Sequence, residues 1–292
     1  MEKTQIINTK YGNIQGYIEK SIKVFKGIPY AAPPVGEYRF KPPKPPKRID
    51  GVFEAIEFSQ ICPQVPVLPS AQWIFGTQLE ESEAESLTLN IWTPETDDKY
   101  RPVMFWIHGG NFNNGSSAQL TYDGLPLSLR GDVVVVSINY RLGPLGYLYI
   151  PGITANVGQL DQIAALEWIR DNIKAFGGDP HNVTIFGESA GAAAVITLLA
   201  MPAVKNLFHR AIAQSTPSYY SVLHKEGSND ICSTLKIKPG DIEELQKVSV
   251  ENIKNAHRNY ITKTFLQGRS NPFSPVVDGK TLPEEPLKAI RS

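Results

Sequence analysis

At 292 residues the chain is long enough for one large α/β domain or two smaller ones. Lys plus Arg number 29 and Asp plus Glu number 29, so no net charge draws it to nucleic acid or to an anionic membrane surface. Two cysteines, Cys62 and Cys232, make no disulfide framework, and no apolar run is long enough to span a bilayer. The start, Met1-Glu2-Lys3-Thr4-Gln5, lacks an apolar signal core, which predicts a cytoplasmic protein.

In chain order, Thr4–Lys10 and Asn13–Glu19 read as a hairpin around Tyr11-Gly12-Asn13, with a strand following through Ile22–Phe25. The prolines of Gly27–Pro34 exclude helix there. Lys41-Pro42-Pro43-Lys44-Pro45-Pro46-Lys47 is either a polyproline ligand or, more simply, a stiff surface link. Leu68–Ser86, with acidic residues from Glu80 to Glu85, reads as a solvated loop. Leu87–Trp92 is expected to pair with Val103–Ile107 across the turn at Thr93–Pro102. Val133–Ile138, apolar almost throughout, fits a strand covered on both faces. From Gln159 to Phe176 the period becomes helical, with Ile163, Leu166, Ile169, Ile173 and Phe176 on one face and Glu167, Asp171 and Lys174 opposite. Gly177-Gly178-Asp179-Pro180 ends that helix. Arg210–Gln214 is a further short strand, and Asp241–Lys247 a short helix opened by an Asp-x-x-Glu cap. Strands alternating with helices, without repeat or linker, predict a single α/β domain with a mixed, mostly parallel sheet.

The chemistry concentrates after the strand Val183–Phe186. Gly187-Glu188-Ser189-Ala190-Gly191 stands between that strand and an apolar helix through Ala200. As a bare pattern, Gly-x-Ser-x-Gly also suits a Gly-rich turn packing helix on strand. The strand before and helix after favour a nucleophile elbow. In an elbow the serine is forced into strained backbone, and the crowded positions two before and two after admit only glycine. Free N–H groups at the helix start favour a developing negative charge. Glu188 either tunes a neighbouring histidine towards its protonated state or anchors the elbow through hydrogen bonds.

A serine nucleophile needs donors already in place for its oxyanion. His108-Gly109-Gly110-Asn111-Phe112 follows the strand Val103–Ile107 directly. Backbone N–H groups of Gly110, Asn111 and Ala190 are the expected donors. His108 precedes the glycines and is expected to fix their loop rather than act as base.

These residues, together with Gly27-Ile28-Pro29-Tyr30-Ala31, Leu89-Asn90-Ile91-Trp92, Asn139-Tyr140-Arg141, Gly158-Gln159-Leu160-Asp161-Gln162, Phe176-Gly177-Gly178-Asp179-Pro180 and Pro275-Val276-Val277-Asp278-Gly279, match one pattern. The chain resembles the type-B carboxylesterase/lipase family, which also holds the cholinesterases, and within it the bacterial p-nitrobenzyl esterases. The resemblance runs from Tyr11 to about Ala289. It implies an α/β-hydrolase fold and hydrolysis of small apolar carboxylic esters through an acyl-serine on Ser189, with no metal or cofactor. It also implies that Arg141 pairs with Asp161, and that the Arg210–Gln214 strand lies inside a larger sheet.

Three departures stand out. Where the family often has Glu-Asp-Cys, this chain has Ala84-Glu85-Ser86, which leaves Cys62 without the disulfide of secreted relatives. The ion pair usually made to Arg39 is then lost or taken over by Glu85. The family's triad acid and histidine lie beyond Pro-Val-Val-Asp-Gly, and His209, His224 and His257 match no catalytic position. The expectation is that both groups lie beyond Ser292, in a carboxyl-terminal part that completes the fold as covalent or complementing partner. The alternative is a non-catalytic relative that keeps the fold for interaction.

Overall fold

The computed structural model describes residues 1–65, 80–217, 224–266 and 273–291. Two sheets form. The strands Ile7–Thr9 (β1), Gly12–Gln15 (β2) and Val52–Glu54 (β5) make a small outer sheet. The central sheet has seven strands: Tyr17–Glu19 (β3), Ile22–Pro29 (β4), Thr88–Thr93 (β6), Arg101–Ile107 (β7), Val134–Ile138 (β8), Gly178–Glu188 (β9) and Arg210–Gln214 (β10). Their order is β10-β9-β7-β8-β6-β4-β3, with β7 to β10 parallel and β6, β4 and β3 adding antiparallel pairs.

The hairpin expectation needs correction. β1 does pair with β2, Ile7 opposite Ile14, but the expected second strand splits at Gly16 between the two sheets. A Cβ at Gly16 would lie 2.1 Å from the Val24 carbonyl oxygen, so the chain passes there only without a side chain. The expected pairing of Leu87–Trp92 with Val103–Ile107 is also wrong. β8 lies between them, antiparallel to β6 with Leu89 opposite Ile138, and parallel to β7 with Val103 opposite Val134. All five β8 residues are buried, so this strand needs a neighbour on each side and displaces the sequence-adjacent pairing.

Helices cover both faces. Val134, Val136 and Ile138 point into the main core with Phe25, Leu89, Ile91, Phe105 and the buried face of the helix Val157–Asn172, while Val135 joins Trp92, Val24 and Leu125 on the other side. Strand alternation thus supplies two cores from one sheet. Phe176 closes the 3₁₀ turn after Val157–Asn172 and meets Phe25 edge-on, ring centroids 4.9 Å apart. Each such buried ring contributes about 1.5–3 kcal/mol. The short helix Ile242–Lys247 is capped as expected, the Asp241 carboxylate accepting from the Glu244 N–H at 3.1 Å.

Arg39 keeps an ion pair, but its partner is Glu83 rather than Glu85. Nε and Nη2 each donate to a Glu83 oxygen at 2.6 Å, and Nη1 donates to the carbonyls of Gln246 and Val248. The acidic stretch is therefore only partly solvated: Glu83 is buried and Glu81 accepts from Lys254 at 2.6 Å. Residues 68–79 of that expected loop lie outside the described residues.

Cys62 and Cys232 are free and buried. Burial pushes the Cys62 thiol up to about 12, with the adjacent Ser86 side chain partly offsetting that shift. Ser86 stands where the family resemblance places the cysteine that pairs with the counterpart of Cys62, so Ser86→Cys should close a disulfide and stabilise the oxidised protein by about 3.5 kcal/mol for a loop of this length. Urea melts of the oxidised and reduced variant check this. Equal midpoints would mean that the two sulfurs cannot meet.

Candidate active site

β9 delivers the chain to Ser189, which begins the helix Ala190–Leu199 with φ 55° and ψ −121°. Such backbone costs a non-glycine residue on the order of 1–3 kcal/mol, so its surroundings must enforce it. Two hydrogen bonds do so: the Ser189 N–H donates to Gln214 O, and Ala193 N–H to Ser189 O, both at 3.0 Å. The flanking glycines are equally constrained. A Cβ on Gly187 would sit 2.6 Å from the Gly191 carbonyl carbon, and one on Gly191 would sit 2.1 Å from Ile107 O. Both contacts are with backbone, which cannot swing aside.

The turn after β7 is wound through left-handed backbone at Gly110, Asn111 and Phe112, with φ of 108°, 54° and 58°. Phe112 is buried against Tyr147, and the N–H groups of Asn113 and Asn114 close the turn on Gly110 O at 3.0 and 3.1 Å. Turn and elbow meet. A Cβ built on Gly109 would lie 2.8 Å from Glu188 O, 3.2 Å from Glu188 Oε2 and 3.3 Å from the Ser189 Cβ. The structure thus brings together the expected nucleophile Ser189, the glycines 187 and 191, Glu188, Ala190 and the Gly110-Asn111 turn.

His108 is fully buried, stacks on Tyr140 at 4.4 Å and lies with Nδ1 2.7 Å from Gly109 O. That contact requires the proton on Nδ1. Burial pushes the ring down to about 4, against the opposing pull of the Gly109 carbonyl, so it stays neutral at pH 7. The Tyr140 hydroxyl donates to His108 O at 2.8 Å. Through Nδ1 the ring supports the loop, bonding a carbonyl of the glycine turn.

Several supporting residues carried no sequence signal. Gln64, buried, receives the Gly115 N–H at 2.8 Å and donates to Gly115 O at 3.1 Å and Cys62 O at 2.9 Å, pinning the far end of the glycine turn. Asn90 donates to Ser117 and Ser137 at 3.0 and 3.1 Å, and Asn139 accepts from the Ser117 N–H at 2.8 Å. The positions of Asn90 and Asn139 within quoted motifs were the one available hint of this network. Trp106 packs between Tyr122 and Phe186, with ring centroids 4.9 and 4.8 Å away. Burial, then the nearby Glu188 carboxylate, pushes the Tyr122 hydroxyl up.

The other four histidines are placed elsewhere: His181 lies in β9, its backbone N–H donating to the Asp179 carboxylate at 2.8 Å. His209 accepts from the Val183 N–H through Nδ1 at 3.2 Å and donates its own N–H to Val183 O at 2.8 Å, a structural role at the start of β10. His257 is buried edge-on against Phe273 at 4.8 Å, and burial holds it near 3. His224 opens the helix His224–Thr234. Among the described residues no histidine hydrogen-bonds Ser189, no His, Cys, Asp and Glu group is arranged to hold a metal ion, and no helix is long and apolar enough to cross a membrane.

Comparison with known proteins gives the chain's relatives. A model described as the carboxylesterase family matches residues 3–292. The para-nitrobenzyl esterase of Bacillus subtilis (strain 168) is 43% identical over 299 aligned residues, which cover 98% of this chain and 59% of that protein. Phenmedipham hydrolase of Pseudarthrobacter oxydans is 39% identical, over 98% of this chain and 58% of its own. Among solved structures, a thermophilic PNB esterase superposes with a TM-score of 0.89 at 40% identity, over 98% of this chain and 60% of that one. The chain therefore spans about three-fifths of the length of these two curated relatives.

Proposed function

The chain belongs to the carboxylesterase family, and from that premise we propose that it supplies the nucleophile and oxyanion part of a serine ester hydrolase. The observation that carries this reading is the approach of the Gly109 turn to the elbow, a built Cβ lying 3.3 Å from the Ser189 Cβ. Donors and nucleophile can then address one carbonyl.

In the proposed reaction the Ser189 oxygen bonds to the ester carbonyl carbon while its proton passes to a histidine base. The carbonyl oxygen takes the negative charge and is received by the N–H groups of Gly110, Asn111 and Ala190. Collapse breaks the bond to the alcohol oxygen, which leaves with the proton, and the acyl group stays on Ser189. Water then releases the acid by the same steps in reverse order. Gly187 and Gly191 hold the elbow, and Glu188 backs the Gly109 turn.

The histidine and its orienting acid are assigned to sequence outside these 292 residues; among the described residues no histidine hydrogen-bonds Ser189, and His108 and His209 bond the backbone instead. Small apolar carboxylic esters are the proposed substrates. Those same commitments favour one second reading, in which the chain alone keeps the fold without the chemistry.

Expressing residues 1–292 and following p-nitrophenyl acetate separates the two parts of the proposal. Without a base, the residual acceleration should be only about 10³–10⁴ over water, as in serine hydrolases stripped of their triad. Ordinary enzyme turnover that vanishes in Ser189→Ala would mean the base lies within this chain. Loss of fluorophosphonate labelling of Ser189 in the longer protein as well would remove the nucleophile assignment.

A further inference from the structure

We propose that Asn114 is a latent modification site, where the side-chain amide is exchanged for a carboxylate through a cyclic imide with the Gly115 nitrogen, and that Gln64 holds this reaction off. Asn114-Gly115 is the single Asn-Gly step in these 292 residues. A glycine after the asparagine leaves the approach to its nitrogen open, because no side chain stands in the way.

The chemistry needs only water. The Gly115 nitrogen gives up its proton and bonds to the carbonyl carbon of the Asn114 side chain. The carbon–nitrogen bond of the side-chain amide breaks, and ammonia leaves with that proton. Water then opens the five-membered imide at either carbonyl. One opening gives aspartate, and the other gives isoaspartate, whose main chain runs through the former side chain.

The structure restrains the first step. Gly115 is buried, and its N–H donates to Gln64 Oε1 at 2.8 Å while its carbonyl accepts from Gln64 Nε2 at 3.1 Å. Gln64 is itself buried, and Nε2 also donates to Cys62 O at 2.9 Å. Losing the proton and turning the nitrogen towards the Asn114 side chain both break the bond to Oε1. The rest of the step is anchored as well. Gly115 has φ 105°, and a Cβ built on it would lie 2.6 Å from Gly109 O and 2.7 Å from His108 Nδ1. On the other side, the Asn114 N–H is held on Gly110 O at 3.1 Å.

Conversion would be felt at the glycine turn. Asn114 Oδ1 lies 2.7 Å from a Cβ built on Gly110, so the new carboxylate would stand against that residue. Isoaspartate also lengthens the main chain of the turn. A negative charge there opposes the oxyanion assigned to Gly110 and Asn111. This consequence rests on the esterase reading, whereas the modification itself does not.

The test incubates the 292-residue chain and a synthetic peptide of residues 112–117 at mildly alkaline pH. Peptide mapping follows Asn114, and isoaspartyl methyltransferase marks the isoaspartate. The peptide should convert, and the folded chain should convert far more slowly. Gln64→Met, which keeps the side-chain length and removes both bonds to Gly115, should speed conversion in the folded chain about five- to tenfold, the loss of one hydrogen bond on the reacting nitrogen. If Gln64→Met does not fold, amide hydrogen exchange of the parent decides, with the Gly115 N–H expected to be as protected as the strand Arg101–Ile107. Equal rates in peptide and folded parent, an unaltered rate in a folded Gln64→Met, or an unprotected Gly115 amide would each overturn the proposal. None of these readouts uses ester turnover, so they fail or succeed independently of the esterase reading.

Discussion

Ser189→Ala in a chain completed by the proposed carboxyl-terminal part is expected to lower ester turnover by about 10⁶, measured as kcat on p-nitrophenyl esters. The magnitude follows from the order of events. Base and acid have no function until a nucleophile gives up its proton, so removing the hydroxyl idles the whole triad. The substitution is also well suited to the site. A Cβ already exists at Ser189, so alanine keeps the φ of 55° and the bond from its N–H to Gln214 O. The lost activity then reports chemistry rather than folding. Losing a single oxyanion donor should cost less, about 2.7–4 kcal/mol. A Ser189→Ala protein with near-normal turnover would end the nucleophile assignment.

The second large effect concerns stability. Arg141 and Asp161 are 3% and 0% exposed. Asp161 accepts from Arg141 Nε at 2.8 Å, from Nη2 at 2.6 Å and from the Arg141 backbone N–H at 3.0 Å. This bears out the pairing expected from the sequence, and the aspartate thereby ties the Asn-Tyr-Arg turn to the first turns of the long helix. Removing one partner leaves an uncompensated buried charge, which costs about 3–5 kcal/mol. Asp161→Ala should be the worse of the two, because it also strands the backbone donor. Urea unfolding of Arg141→Ala, Asp161→Ala and the double variant checks this, with the double variant less destabilised than the sum. Single variants within 1 kcal/mol of the parent, roughly the ceiling for an exposed pair, would contradict the buried pairing.

The sequence made the elbow legible because its constraints are local. Gly187 and Gly191 are dictated by atoms within a few residues or on the adjacent strand, and such demands leave fixed spacings. The left-handed Gly110 and Asn111 turn was legible for the same reason. Strand order was not. β6 and β7 are neighbours in sequence, and only the need of β8 for two partners separates them, a three-body condition that no window of residues contains. The Arg39 partner was missed because Glu83, Ala84 and Glu85 differ by one step, and only the path of the backbone decides which carboxylate faces inward. Gln64 left no trace at all: its two bonds to Gly115 span a sequence distance over which a lone glutamine carries no pattern.

The hydrogen bond from Ser189 N–H to Gln214 O gives the site a mechanical dependency. Gln214 is the last residue of β10, an edge strand among the described residues, with all five of its residues exposed and Ile212 45% exposed. Peripheral strands open at far lower free energy than the interior of a sheet, in units that exchange their amides together. Within these residues the strained torsion of Ser189, the proposed nucleophile, is therefore held from one side by an edge strand, and a further strand laid against β10 would tighten that hold. Order along β10, which pairs with β9 from Arg210 opposite Thr184 to Gln214 opposite Glu188, is thereby linked to order at Ser189.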